Sequence, residues 1–387
     1  MNVTQRVIEI RRKLHENPEL GGEEWETSKL IQEELEKAGI PFQTGFAKTG
    51  VLAIIEGEKE GGTVALRADI DALPILERTD VEFKSKVDGK MHACGHDAHT
   101  SMLLGTAFKL QQMKADFAGR VLLVFQPNEE SSPIGGARPM MDDGLFDNYK
   151  PDVIFGQHVW PGLPVGQIGV RDKEMMGASD TLSFTIKGAG GHASMPHLGK
   201  DSIVITAEFI SALQSIVSRN VNPLESAVIT IGTIHGGYRY NVIADKVELK
   251  GTVRTYSKEA KSTVKRRLEN LVRGFETAYE VSIDYEYVNG YDATINTPEW
   301  AEVVRNTAAA NLGESAVPDV QPSMAGEDFS RFLAEIPGAF YWLGCAKEGE
   351  EVSKPLHDPE FFFNENAVEV GVETMTAVTL NALEKLK

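Results

Sequence analysis

The sequence is poor in cysteine, with only Cys94 and Cys345 among its 387 residues. Two cysteines are too few for a framework of disulfide bonds, so a reducing compartment is favoured. Long apolar runs are also lacking, and none approaches the ~20 residues of a membrane span. The N-terminal residues mix charges of both signs and contain no apolar core, which indicates no signal peptide. These features predict a cytoplasmic protein.

Basic residues are scarce as well, because 39 Lys and Arg stand against 57 Asp and Glu and leave a formal net charge of −18. Nucleic acids and anionic membrane surfaces both call for basic patches, so neither is an expected partner. The composition is otherwise that of a globular protein, with 42% hydrophobic and 25% charged residues. A chain of this length predicts two domains, or one domain with a large insertion.

Reactive side chains crowd into one segment, Met91–Thr100. It contains three imidazoles, a thiol and a carboxylate, which belong to His92, His96, His99, Cys94 and Asp97. Imidazole and thiolate bind borderline divalent metals, and a nearby carboxylate can fix the tautomer of a ligating imidazole. Cys94 and His96 are separated by one glycine and can turn toward a single ion. The alternative is a polar helix start, with Asp97 or Thr100 as its cap.

Around this segment the hydrophobic pattern alternates between helices and strands, which predicts an α/β sheet with helices on its faces. Val51–Ile55 and Thr63–Ala68 predict two strands joined by a turn at Gly61-Gly62. Val121–Phe125 and Val153–Phe155 are continuous apolar runs of the length expected for buried strands.

Polar side chains follow three of these strands near the point where each run ends. In chain order they are Asp69 and Asp71, Glu129 and Glu130, and His158. Ligands of open α/β sheets bind beyond the carboxyl ends of the strands, so we expect these side chains to converge on one edge. The segment Met91–Thr100 can join them there.

The pattern changes between Ser179 and Asn289. It predicts strand–helix–strand–strand–helix–strand, which is a ferredoxin-like order. The α/β pattern then resumes. We therefore predict a catalytic domain in two parts, residues 1–178 and 290–387, interrupted by an inserted α+β domain of residues 179–289.

Eight motifs occur in order along the chain: LRADIDALPI at Leu66–Ile75, MHACGHDAHT at Met91–Thr100, FQPNEE at Phe125–Glu130, GQHVWP at Gly156–Pro161, GGHASMPH at Gly190–His197, NVIADKVELKGTVR at Asn241–Arg254, AGEDFS at Ala325–Ser330 and LHDPEF at Leu356–Phe361. With these motifs the chain resembles the M20 metallopeptidases, in the branch of N-acyl-amino-acid amidohydrolases, hippurate hydrolases and auxin-conjugate hydrolases. The resemblance implies a zinc-peptidase-like α/β catalytic domain with an inserted lid or dimerisation domain. Two positions differ from the family pattern: Ser131-Ser132-Pro133 stands in place of a glycine-rich turn, and Ala244 in place of a proline.

The resemblance also implies two divalent metal ions per subunit, of manganese, zinc or nickel. Their ligands would be Cys94, His96, Glu130, His158 and His357. A thiolate can bridge two ions, and paired ions lie ~3.5–4 Å apart in such sites. Taken alone, His158 would be a histidine at a strand end and His357 a turn residue, and the match at all five positions favours ligation.

Catalytic roles follow from the same resemblance. Glu129 adjoins a proposed ligand but points to the other side of an extended loop, which suits a general base that acts on metal-bound water. Asp71 is expected to orient a ligand by hydrogen bonding. Asp69 stands where related enzymes carry a histidine and has no assigned role.

The inserted domain is expected to complete the site. His192 resembles the family histidine that stabilises the tetrahedral oxyanion, commonly from the partner subunit of a homodimer. Asn241 and Arg254 resemble residues that hold the α-carboxylate of the substrate, which a guanidinium can bind through two parallel bonds. Glu327 is expected to support the metal site.

The sequence thus predicts a two-metal amidohydrolase that cleaves an N-acyl or N-aroyl amino acid to a carboxylate and a free amino acid. A dipeptidase or small carboxypeptidase is the alternative on the same fold. Two alternatives belong to other classes: a cysteine hydrolase with Cys94 as nucleophile, and a catalytically inactive binding protein.

Overall fold

The computed structural model describes residues 2–346 and 353–387. Their contacts divide the chain into two units. The first comprises Met1–Met175, Thr294–Pro322 and Asp328–Lys387, and the second comprises Met176–Ala293 and Ser323–Glu327. The segment Ser323–Glu327 thus belongs to the second unit, although the sequence pattern placed it in the second part of the catalytic domain, residues 290–387. The roles of the units as catalytic and dimerisation domains stay predictions.

The strands, numbered along the chain, are β1 (Phe42–Phe46), β2 (Gly50–Glu56), β3 (Lys59–Asp69), β4 (Ala118–Gln126), β5 (Val153–Pro164), β6 (Ile168–Gly169), β7 (Glu174–Met176), β8 (Ala178–Lys187), β9 (Gly191–His192), β10 (Ala227–Gly236), β11 (Val242–Ile243), β12 (Lys246–Thr255), β13 (Ser282–Tyr291), β14 (Thr294–Ile295) and β15 (Gly338–Ala346). The α-helices are α1 (Val3–Glu16), α2 (Trp25–Lys37), α3 (His96–Gln112), α4 (Ala137–Asp142), α5 (Ser202–Asn220), α6 (Lys258–Tyr279), α7 (Pro298–Leu312), α8 (Ser330–Leu333) and α9 (Ala367–Lys385). Short 3-10 helices cover Pro196–Leu198 and Glu314–Ala316. Across the described parts of the chain, no helix combines the length and apolar character needed to cross a bilayer.

The first unit is organised around a seven-stranded sheet of order β1-β2-β4-β3-β5-β15-β6. Its four central strands, β4, β3, β5 and β15, are parallel to one another. The outer strands β1, β2 and β6 run antiparallel to their neighbours. Parallel strands end at the same edge, so the carboxyl ends of β3, β4 and β5 meet there, as the sequence predicts.

Helices pack against this sheet through apolar stripes. The helix α1 begins at its cap Asn2, and it buries Val7, Ile10 and Leu14, which recur at helical spacing. The helix α3 is buried over most of its length and packs against α1, α9 and β3. The segment that leads into α3 is thereby fixed by the core of the unit.

The predicted turn at Gly61-Gly62 is wrong, because both glycines lie inside β3 and β4 runs between β2 and β3. The pairing of β3 with β4 is irregular between Lys59 and Thr63. A Cβ atom at Gly61 would lie 2.8 Å from the backbone nitrogen of Gly119, and one at Gly119 would lie 2.1 Å from the carbonyl oxygen of Gly62. The glycines therefore allow a close approach of two strands.

The second unit has the predicted ferredoxin-like order, in which α5 and α6 alternate with β8, β10, β12 and β13. The sheet order is β10-β12-β8-β13, and each neighbouring pair is antiparallel. Asp201 caps α5 and Ser257 caps α6, each by accepting backbone N–H groups of the first turn. The helices bury apolar residues against the sheet around Phe184 and Phe209.

Candidate metal centre

The metal ligands predicted from the sequence lie at the carboxyl edge of the first unit's sheet. Glu130 follows β4, and His158 lies within β5, which continues beyond the predicted run to Pro164. Cys94 and His96 come from the turn that begins α3. Between them Gly95 has a φ of +83°, and a Cβ atom there would lie 2.4 Å from a side-chain carbon of β5. Glycine at this position therefore lets both neighbours approach the strand.

Four of the predicted ligand side chains lie around the sulfur atom of the fifth, Cys94. Its Sγ lies 3.5 Å from Nε2 of His158 and 3.3 Å from Nε2 of His357. The same nitrogen of His357 lies 3.1 Å from Oε1 of Glu130. The ligand atoms form two groups, Cys94 with His96 and His158, and Cys94 with Glu130 and His357, each within 4.8 Å. Cys94 belongs to both groups, as a thiolate that bridges two ions would.

The hydrogen bonds of the imidazoles leave their Nε2 atoms as acceptors. Nδ1 of His96 donates to the carbonyl oxygen of Asp71 at 2.9 Å, and Nδ1 of His158 donates to that of Val159 at 2.7 Å. In the neutral form each imidazole then has a lone pair on Nε2. Burial disfavours the charged ring of His96, but the carboxylates of Asp69 and Asp71 outweigh burial and raise its pKa to about 10, so a metal ion must displace a proton from that ring. Nε2 of His96 is buried and makes no hydrogen bond. A borderline divalent cation fits such a lone pair beside a thiol and a carboxylate.

The charges around the sulfur point the same way. Burial, together with the carboxylates of Glu130 and Glu129, raises the pKa of the Cys94 thiol well above its usual range. A thiolate therefore forms here only beside a bound cation, because the positive charge lowers the pKa of the thiol. Burial and the neighbouring His99 lower the pKa of His158 well below its usual range. The imidazole is thus neutral, which is the form that binds a metal.

Asp71 and Glu129 flank the ligands. The carboxylate of Asp71 accepts the backbone N–H of Glu130 at 3.0 Å, and its Oδ1 lies 3.2 Å from Nδ1 of His96. Glu129 is only 6% exposed, and a carboxylate oxygen lies within 4.8 Å of ligand atoms of His96 and Glu130. Asp71 thus positions two predicted ligands, and Glu129 is near enough to act as a base on a molecule held by them.

No role was assigned from the sequence to Asp69 or to His99, which lie beside the predicted ligands. Oδ1 of Asp69 lies 2.5 Å from Nδ1 of His99, and Oδ2 accepts from Arg67 at 2.6 Å. Arg67 also donates to Asp328 at 2.8 Å. The sequence did contain one indication of this contact. Arg67 and Asp69 are charged residues at the end of a buried apolar strand, and buried charges are nearly always paired.

His192 and Asn241 lie side by side in the second unit. The strands β9 and β11 pair through His192 and Val242, and the backbone N–H of Ala193 donates to the carbonyl oxygen of Asn241 at 3.2 Å. His192 is exposed. The backbone N–H of Ser194 donates to its Nδ1 at 3.2 Å. The neutral ring therefore carries its proton on Nε2 and can donate from there.

The remaining sequence candidates are more scattered. Arg254 lies on β12, half-buried, and burial lowers its pKa. Its guanidinium makes no ion pair or hydrogen bond with another residue that the structure describes. Glu327 is buried in the second unit. The bond between Ser132 and Pro133 is cis, in an exposed loop, and Ala244 is buried.

A cluster of one thiol, three imidazoles and a carboxylate, with the buried carboxylate of Glu129 beside it, is the kind of site found in two-metal hydrolases. The fold and the site together therefore define a metal-dependent hydrolase. The chain belongs to the peptidase family M20/M25/M40, whose model matches residues 65–381.

Individual relatives are similar over nearly the whole chain. The N-acetylcysteine deacetylase of Bacillus subtilis is 40% identical over 383 residues, which are 99% of this chain and 98% of that protein. The thermostable carboxypeptidase 2 of Saccharolobus solfataricus is 39% identical over 367 residues, which are 94% and 92%. Among solved structures, the YXEP protein of Bacillus subtilis, described as a dinuclear metal binding peptidase from the M20 family, has a TM-score of 0.86 and 35% identity, with 99% of each chain covered.

Proposed function

We propose that the protein hydrolyses the amide bond of an N-acyl or N-aroyl amino acid to a carboxylate and a free amino acid. The observation that carries the proposal is the meeting of five metal donors beside the buried carboxylate of Glu129. Similarity to a deacetylase of an N-acetylated amino acid supports this substrate class.

The donors Cys94, His96, Glu130, His158 and His357 would hold two divalent ions. A set of thiolate, imidazoles and carboxylate suits zinc, nickel or manganese. When bound, the ions supply Lewis acidity toward the amide carbonyl and lower the pKa of a water molecule.

Glu129 moves the proton. It takes a proton from the water as the oxygen attacks the carbonyl carbon, and returns it to the amide nitrogen as the C–N bond breaks. The remaining acidic proton passes from the new carboxylic acid to the amine, so the products are a carboxylate and an ammonium, and Glu129 is ready for another cycle. Asp71 keeps His96 and Glu130 in place through both steps.

Substrate and oxyanion would be bound by the second unit. The Nε2–H of His192 donates to the oxyanion of the tetrahedral intermediate. Stabilising an oxyanion in this way contributes a large part of the rate enhancement in amide hydrolysis. Arg254, whose guanidinium makes no ion pair with a described residue, binds the α-carboxylate together with Asn241. A substrate without that carboxylate would lose this contact.

The second unit also carries a surface suited to a second copy of the chain. Ile203 and Val204 of α5 are 50% and 52% exposed, Ile234 of β10 is 55% exposed and Tyr240 is 90% exposed. The strand β10 is an open edge of its sheet. Exposed apolar side chains next to an open edge mark an interaction surface. We infer a cytoplasmic homodimer in which His192 serves the partner's site.

The test is a screen of the metal-reconstituted protein with three matched substrate sets: N-acyl amino acids, their α-amides, and dipeptides with a free amine. We expect turnover of N-acyl amino acids, loss of turnover on chelation, and recovery on adding metal. Faster cleavage of dipeptides would instead establish the carboxypeptidase alternative, to which the archaeal relative points. Activity that survives chelation, with an acyl adduct on Cys94, would establish a cysteine hydrolase. Bound metal without turnover of any set would leave a binding protein.

A further inference from the structure

A hydrogen-bonded chain connects Asp69 to the backbone that follows His158. Oδ1 of Asp69 lies 2.5 Å from Nδ1 of His99. On the other side of the ring, Nε2 of His99 accepts the backbone N–H of Val159 at 2.9 Å. The carbonyl oxygen of Val159 in turn accepts Nδ1–H of His158 at 2.7 Å. The backbone on both sides of Val159 is thus held, once by each histidine.

The backbone N–H and carbonyl oxygen of Val159 determine which ring nitrogen of each histidine carries the proton. A backbone N–H can only donate, so Nε2 of His99 must be the acceptor and Nδ1 must carry the proton toward Asp69. A carbonyl oxygen can only accept, so His158 carries its proton on Nδ1 and has a lone pair on Nε2. That Nε2 is the atom 3.5 Å from the sulfur of Cys94.

The same bonds show that His99 is no metal ligand, although it lies in a cluster with Asp69 and His96. Both of its nitrogens are used, one by Asp69 and one by Val159. His99 is 2% exposed, Asp69 is 0% exposed and His158 is 4% exposed. Little water reaches these groups, so a broken bond in the chain would leave a buried polar atom unpaired.

We propose that Asp69 and His99 are positioning residues for the metal ligand His158. They act through the backbone of Val159 and hold the imidazole with Nε2 toward the metal. The inference rests on the proposed ligand set. Partners of this kind contribute roughly 10–100-fold to metal affinity.

The variant Asp69→Asn tests the direction of the protons. The guanidinium of Arg67 donates to Oδ2 of Asp69 at 2.6 Å, so an asparagine would turn its oxygen toward Arg67 and its NH2 toward His99. Nδ1 of His99 would then become an acceptor, and the proton would move to Nε2. The Nε2–H of His99 would then face the backbone N–H of Val159, and the hydrogen bond between these two nitrogen atoms would be lost.

The experiment measures zinc affinity and zinc stoichiometry by titration against a competing chelator. We expect Asp69→Asn and His99→Leu to weaken one of the two bound ions by roughly 10–100-fold and to leave the other near the wild-type value. His99→Gln keeps an acceptor for the N–H of Val159, so its loss should be smaller than that of His99→Leu. Thr106→Val is the matched control, because Thr106 is buried on the same helix and its hydroxyl makes no hydrogen bond. It should bind both ions normally.

His158→Ala separates this inference from the proposed ligand set. If His158→Ala loses one ion while Asp69→Asn and His99→Leu bind both ions within about twofold of wild type, the positioning role is wrong and the ligand set stands. If His158→Ala itself keeps both ions, the ligand set is wrong.

A second measurement needs no variant and so does not depend on how well a variant folds. The nitrogen chemical shifts of histidine in the zinc-loaded wild-type protein report which ring nitrogen carries the proton. We expect the proton on Nδ1 in both His99 and His158. A proton on Nε2 of His99 would contradict the chain of hydrogen bonds and overturn the proposal.

Discussion

The sulfur atom of Cys94 lies 3.3 Å from Nε2 of His357, although 263 residues separate the two in the sequence. The two side chains differ in exposure, since Cys94 is buried at 7% and the side chain of His357 is 50% exposed. His357 also has a backbone φ of +67°, in the left-handed region that few residues other than glycine adopt. The cluster thus has a buried side and a solvent-facing side, and His357 lies on the latter.

Alkylation of Cys94 should depend on metal. A thiolate that binds two ions is shielded, whereas the thiol of the stripped protein can react once the exposed His357 moves aside. We expect iodoacetamide to modify Cys94 more slowly in the metal-loaded protein than in the stripped one, as read by mass spectrometry. Cys345 is buried elsewhere and is the internal control. Equal rates at Cys94 in the two forms would count against ligation.

Glu129 and Glu130 are adjacent, but their substitutions should have different effects. Glu129→Gln removes the proposed base and should lower kcat by on the order of 10²–10⁴ with both ions retained. Glu130→Gln removes a ligand and should weaken metal binding. Elemental analysis and kinetics on the same samples distinguish these outcomes, and loss of metal from Glu129→Gln would refute the division of roles.

Mixed dimers should reveal whether His192 acts across the subunit interface. His192 belongs to the second unit, whereas the predicted ligands belong to the first. A heterodimer of His192→Ala and Glu129→Gln subunits would then contain one site built from two intact halves. We expect up to roughly half of the wild-type activity in each heterodimer. Heterodimers seen by native mass spectrometry but devoid of activity would show that His192 does not serve the partner.

The contribution of His15 to stability should fall as the pH rises. Nδ1 of His15 lies 2.9 Å from Oδ2 of Asp97, and Nε2 lies 3.2 Å from Oε1 of Glu77. Burial and Arg11 lower its pKa, but the two carboxylates outweigh them and leave it raised above 6.5. A raised pKa in the folded state stabilises the fold fully below about pH 6.5 and less as the pH passes through the raised value.

We therefore expect His15→Gln to lower the midpoint of thermal unfolding more at about pH 6 than at about pH 9. Both measurements use zinc-saturated protein, so that metal occupancy is the same. A difference that is independent of pH would mean that His15 is neutral in the folded protein.

Much of the fold could be read from the sequence because burial repeats with the period of each element. The ferredoxin-like order of the second unit was predicted from that pattern and is confirmed. The turn at Gly61-Gly62 was wrong for a specific reason. Glycine marks both turns and close backbone contacts, and only the position of β4 between β2 and β3 distinguishes the two.

The site could be predicted from the sequence only in part. Five ligand positions could be named from motifs, and the structure brings their side chains together around Cys94. The roles of Asp69 and His99 could not be named, because they act through the backbone N–H of Val159. A backbone hydrogen bond leaves no mark in the amino-acid sequence, since every residue except proline offers the same donor.

The position of β15 beside β5 has a consequence for synthesis on the ribosome. The two strands are parallel neighbours in the sheet, yet roughly 170 residues, including all of the second unit, are translated between them. At usual rates of elongation, the nascent chain carries one uncovered edge of β5 for on the order of 10–30 s. During that interval the half-made sheet is open to pairing with other chains, so this gene product is expected to benefit from chaperones that bind emerging polypeptides.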